Sequence, residues 1–204
     1  MSGSASTVAE LLETGVAGAT AFSSPGGVPL SYQGLRSLVS ETLAMLAQHG
    51  IGRNDRVAIT LDNGPEMAAA FITIASGATA APLNPGYRAE EFEFYLTDLQ
   101  AKLLVVGRDK ASPAMDVAAK LGIPVARLVP RPERGAGSLA LEFSGSGAAG
   151  RAARPEVAEP DDVALVLHTS GTTSRPKMVP LSQRNVCASA RNIRGTLHLT
   201  PEDR

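Results

Sequence analysis

The sequence predicts an α/β fold, a mostly parallel sheet flanked by helices. Short apolar runs alternate along the chain with segments whose apolar residues recur at helical spacing. The helical segments carry start and stop residues at the appropriate ends. Apolar residues make up 44% of the 204 positions, enough to bury a real core.

The elements follow in order. Residues 31–50, SYQGLRSLVSETLAMLAQHG, read as a helix with Leu35, Leu38, Val39, Thr42, Leu43 and Leu46 on one face. Ser31 is its N-cap and Gly50 its stop. RVAITL (56–61) is a buried strand. NGPEMAAAFITIASG (63–77) is a helix, with Pro65 and Glu66 suited to its first turn. TAAPL (79–83) is a weaker strand. YRAEEFEFYLTDLQA (87–101) is a helix whose Glu90, Glu91 and Glu93 favour its start, not an acid/base pair. KLLVVG (102–107), SPAMDVAAKLG (112–122) and IPVARLV (123–129) then read as strand, helix and strand. Such alternation implies crossover units and parallel pairing.

Residues 131–162 break the rhythm. They are rich in Gly, Pro, Ala and charge, with LALEF (139–143) the only strand candidate, and they predict a flexible surface connection. VALVLH (163–168) is again a buried strand, and a helix is expected from Ser182 to about Gly195.

Composition narrows the function. Lys plus Arg total 19 against 20 Asp plus Glu, a net charge of −1, which argues against nucleic-acid binding. Tryptophan is absent and aromatics are 4%, too few for base-stacking platforms. The one cysteine, Cys187, excludes an internal disulfide framework and a multi-thiolate zinc site. The N-terminus has no basic start followed by a signal-length apolar run, and no 18-residue apolar stretch exists to span a membrane. A cytoplasmic location is expected.

HTSGTTSRPK (168–177) stands between the last apolar strand and the last helix. Loops at the carboxyl ends of parallel strands are where ligands bind. Ser170, Thr172, Thr173 and Ser174 offer hydroxyls, Gly171 permits close backbone approach, Pro176 stiffens the exit, and Lys177 brings a point charge. The set suits a polyphosphate. A plain Ser/Thr/Gly linker has the same composition, and the stretch does not match G-x-x-x-x-G-K-[ST].

TSGTTSRPK resembles the signature loop of the adenylate-forming superfamily, T-S-G-[ST]-T-G-x-P-K-G, shared by acyl-CoA synthetases, luciferases and adenylation domains. Thr169, Ser170, Gly171, Thr172, Thr173, Pro176 and Lys177 are in register. Ser174 replaces a glycine, as in the oxalate–CoA ligase branch, and Met178 replaces the glycine after the lysine. The segments around 31–60, with a GRND turn at 52–55, and AAPLNPGYRAEEFEFYL also look like this superfamily.

The resemblance implies a fold and an activity. The chain would be the incomplete N-terminal part of the large domain, with the C-terminal domain beyond residue 204, and inactive alone. The complete enzyme would use ATP, Mg2+ and coenzyme A, and would join a small carboxylic acid, such as oxalate, to CoA through an acyl-adenylate. Thr169, Ser170, Gly171, Thr172, Thr173 and Ser174 would cradle the phosphates, and Lys177 would close on them as the catalytic cation. A loop hydroxyl would reach Mg2+, with no residue assigned. A homodimer or a complementing C-terminal chain is expected. An adenylation domain loading an amino or aryl acid onto a carrier thiol, and a non-catalytic fragment, stay open.

Other candidates are weaker. His168, beside the loop, is either a pocket residue or a hydrogen-bonded structural histidine. His49 suits a helix C-terminus, His198 a turn, and Cys187 a helix core. Arg184, Arg191 and Arg194 share a solvated helix face. The glycine that Met178 replaces suggests a left-handed or tightly approached backbone there.

Overall fold

A computed structural model describes residues 4–109, 111–143, 156–169, 176–201 and 203. The chain opens with α1 (Val8–Glu13) and a two-stranded antiparallel sheet of β1 (Thr20–Phe22) and β2 (Leu30–Ser31). Next come α2 (Tyr32–Gln48), β3 (Arg56–Thr60), α3 (Pro65–Ala75), β4 (Thr79–Pro82), α4 (Ala89–Leu99), β5 (Leu103–Gly107), α5 (Pro113–Leu121) and β6 (Val125–Pro130). A short 3-10 turn (Pro132–Arg134), β7 (Leu139–Phe143), β8 (Val163–Thr169), β9 (Lys177–Ser182) and α6 (Gln183–Thr196) complete it.

Local chemistry explains the boundaries. Ser31 accepts from the Gly34 amide, as an N-cap should, and Gly50 takes φ +73 where α2 ends. Thr7 and Glu10 form a reciprocal capping box on α1. That T-x-x-E signal stood in the sequence, yet only α2 onward was expected to be helical.

β3 to β9 form one seven-stranded sheet in the order β7-β6-β5-β3-β4-β8-β9. The five inner strands are parallel, and β7 and β9 pair antiparallel at the two edges. Alternation along β3 and β5 divides the core. Val57, Ile59, Leu103 and Val105 face α2 and α3, while Ala58, Leu104 and Val106 face α4 and α5.

The described parts of 131–162 depart from the flexible connection expected there. Ala136, Ser138, Leu139, Leu141, Ala158 and Asp162 are buried. The Ala136 amide donates to Val28 O at 2.8 Å, and β7 pairs along the whole of its length with β6. Gly137 has φ +77, and a Cβ there would lie 2.7 Å from Pro65 O. This glycine serves a tight approach, not chain freedom. Residues 144–155 lie outside the described residues.

Candidate functional site

The five parallel strands end on one edge, at Thr60, Pro82, Gly107, Pro130 and Thr169. α3, which follows β3, packs on one face of the sheet, whereas α4 and α5 pack on the other. The chain leaving β3 and the chain leaving its neighbour β5 therefore part to opposite sides, and this divergence opens a crevice. A cavity of about 580 Å³ sits there, lined among others by Thr60, Asp62, Asn63, Glu66, Arg108 and Ser112. A second, of about 490 Å³, follows the ends of β3 and β4 and includes Leu61, Met67, Pro82 and Asn84. Thr60 is 5% exposed, and its hydroxyl oxygen is the one buried side-chain polar atom without a partner among the described residues. An unmade hydrogen bond of this kind is costly in a core and common in a binding site.

Of the predicted phosphate loop, Thr169 and Lys177 are placed; Ser170, Gly171, Thr172, Thr173 and Ser174 lie outside the described residues. Thr169 ends β8, Lys177 begins β9, and the two are cross-strand partners. Thr169 Oγ1 donates to Lys177 O over 3.5 Å. Lys177 is exposed and makes no ion pair with any described carboxylate. An uncompensated ammonium at the carboxyl edge suits an anion.

The loop was expected to run from strand to helix; it joins two antiparallel strands instead. β9 carries the chain back across the sheet, so Ser182, the N-cap of α6, lies beside Val163 at the amino edge. No N-terminal dipole of α6 reaches the loop. β9 escaped notice because Pro180 interrupts it and no residue in it is fully buried. Proline is tolerated there because β9 is an edge strand.

Met178 lies within β9 opposite His168 and packs against the α4–α5 side of the core. It is not among the residues with positive φ. The left-handed backbone suggested at 178 does not exist, and methionine is accommodated as an ordinary strand residue.

His168 is a hydrogen-bonded residue. Its side chain is 5% exposed, and Nε2 lies 3.1 Å from Oδ2 of Asp98 on α4. The Tyr95 ring meets it edge-on at 4.7 Å, and Tyr87 stacks on Tyr95 at 4.8 Å. Burial first, then a hydrogen bond to Tyr95, pushes the Tyr87 hydroxyl up to about 12. None of these three partners was legible as a site residue, because all belong to a helix stripe or turn remote in sequence from the loop.

The remaining candidates are structural. His49 stacks flat on Phe143 at 3.4 Å. Cys187 is fully buried, which pushes its thiol up. Arg184 pairs with Asp161 at 2.8 Å, and Arg191 donates to Ala5 O at 2.6 Å. Among the described residues no group of three or more His, Cys, Asp and Glu could hold a metal, so they supply no carboxylate cage for magnesium. No helix among them is long and apolar enough to cross a membrane.

Comparison with known proteins agrees with this architecture. The profile of the AMP-binding enzyme family matches residues 13–204. The chain belongs to that family. It is 43% identical over 188 residues to an oxalate–CoA ligase of Arabidopsis thaliana, covering 90% of this chain and 36% of that protein. An oxalate–CoA ligase of Saccharomyces cerevisiae is 36% identical over 176 residues, covering 74% and 32%. Among solved structures, apo MatB from Rhodopseudomonas palustris superposes with a TM-score of 0.75 at 23% identity, covering 97% of this chain and 39% of that one. The chain thus spans about a third of the length of the curated relatives it matches.

Proposed function

We propose that the complete protein is an ATP-dependent acid–CoA ligase acting on oxalate or another small carboxylic acid, and that this chain supplies its phosphate grip. The observation that carries the reading is Lys177, without an ion-pair partner among the described residues and paired across the ladder with Thr169 at the carboxyl edge of a parallel sheet, in a chain 43% identical to an oxalate–CoA ligase. In the reaction a carboxylate oxygen attacks the α-phosphorus of ATP. The bond from that phosphorus to the bridging oxygen breaks, and pyrophosphate leaves with the electron pair. Lys177 offsets charge on the departing phosphates, and the hydroxyls of Thr169 to Ser174 orient them, a role for fixed donors and cations. The CoA sulfur then attacks the acyl carbon and AMP leaves. When bound, magnesium would share the phosphate charge, with a loop hydroxyl as its protein contact.

Acid-dependent exchange of labelled pyrophosphate into ATP by the complete protein tests this. Oxalate is expected to support exchange, and Lys177→Ala to reduce it by roughly a hundredfold or more, the scale for losing a transition-state cation contact. Exchange with amino or aryl acids only would point instead to a carrier-loading adenylation domain. Undiminished exchange in Lys177→Ala would remove the lysine from the mechanism.

A further inference from the structure

We infer that Asp98 and His168 form a positioning clasp that holds the root of the phosphate loop against α4. The inference rests on the ligase reading above for its functional consequence, but the clasp itself stands on geometry. His168 is the penultimate residue of β8, directly before Thr169, and its cross-strand partner Met178 directly follows Lys177. The two loop-flanking residues with assigned roles are thus each bonded to a member of one cross-strand pair. That pair is pinned to the α4 side. Met178 packs into the apolar cluster there, and His168 is fixed by Asp98 at 3.1 Å and by the edge of Tyr95.

Both strands need such an anchor. Thr169 and Lys177 close the ladder of an edge hairpin, and β9 has no fully buried residue. An edge ladder frays easily at its end. A buried imidazole bonded to a carboxylate on a packed helix resists that fraying, and its position decides where Thr169 Oγ1 and Lys177 Nζ stand. Side chains alternate across the sheet, so His168 and Met178 face α4 while Thr169 and Lys177 face the other way. The clasp therefore acts through the backbone and touches no substrate. Tyr87 extends it, since its stack on Tyr95 ties in the β4–α4 turn, whose Pro85 and Gly86 line the larger cavity. Asp98 is exposed at its outer edge and adds nothing to the apolar core, so its contribution here is the contact with the buried imidazole.

The test uses the complete protein with Asp98→Ala, Asp98→Asn, His168→Ala and His168→Gln. Two readouts apply: KM and kcat for ATP in pyrophosphate exchange, and hydrogen exchange of amides in 163–169 and 176–182. Asp98→Ala and His168→Ala should each raise KM for ATP on the order of tenfold, the loss of one carboxylate hydrogen bond. KM for the acid should stay within about twofold, because the contact lies on the phosphate side. Amide protection at the loop-side end of β8 and β9 should fall. Asp98→Asn and His168→Gln, which keep a hydrogen bond, should recover most of both. The double alanine variant should be no worse than either single one. An unchanged KM for ATP in Asp98→Ala, or equal loss of ATP and acid turnover without local loss of protection, would overturn the clasp. If the wild-type protein shows no exchange with any acid, the ligase reading fails. The protection pattern then still decides whether the clasp exists, and unaltered protection in Asp98→Ala would sink it separately.

Discussion

At the scale of single residues, burial separates roles that composition leaves mixed. Cys187 and Lys177 are both reactive types, and one is sealed while the other is bare. Cys187 is fully buried and its thiol is pushed up by burial, so folding both disfavours the thiolate needed for reaction and shields it from reagents. A thiol-specific reagent should label it on the order of a thousandfold more slowly than in the urea-unfolded chain, as read by mass spectrometry of the peptide 183–191. Labelling at the unfolded rate in native buffer would show that α6 does not seat there. His168 makes the same point in reverse. A lone histidine before a polar loop reads equally as pocket lining or as structure; only the carboxylate of Asp98, seventy positions away in sequence, decides it.

At the scale of elements, the β8–β9 hairpin is where expectation and structure diverge most. A parallel strand followed by a helix was expected; an antiparallel edge strand intervenes, because Lys177–Ser182 must return the chain to the amino edge before α6 can begin. This relocates the charge logic of the site. The loop has no helix N-terminus behind it from α6, and among the described residues the cation at its root is Lys177. Met178 belongs to the same element. Met178→Gly removes a packed side chain and adds backbone freedom to a strand, and should cost roughly 2 kcal/mol in urea denaturation of the complete protein, without gain in exchange activity. A stabilised variant would show that position 178 wants a conformation that methionine resists.

At the scale of the whole molecule, one polar network ties the amino edge of the sheet. Arg53 Nε lies 2.6 Å from Asp162, Asn54 Nδ2 donates to the same carboxylate at 2.8 Å, and the Glu159 amide donates at 2.7 Å. Arg53 first, with these other donors, outweighs burial and holds the Asp162 carboxyl down at about 2. The folded value lies below the unfolded one, so folding favours the ionised form. The stabilisation is complete above about pH 4 and is lost as pH falls toward 2. Asp162→Asn should lower unfolding free energy by roughly 2 kcal/mol at pH 7 and by almost nothing near pH 2. Urea titrations at pH 7, 4 and 2 read this, and a penalty independent of pH would show that the carboxylate charge is not what matters. Gln183 makes a second long-range tie: fully buried, it accepts from the Val8 amide and donates to Ala75 O, joining α1, α6 and α3.

The sequence by itself determined the alternation of strands and helices and their parallel pairing, because both follow from local periodicity, caps and glycine stops. It also determined that a hydroxyl-rich segment ending in a lysine follows the last buried strand, since those residues are contiguous. Tertiary structure alone decided that β9 is antiparallel, that Gly137 packs tightly where composition read as slack, and that α3 and α5 leave the sheet on opposite faces to open a cavity. It alone brought Asp98 to His168. These depend on strand order and on contacts between residues distant along the chain, and no local pattern of side chains encodes which strand lies beside which.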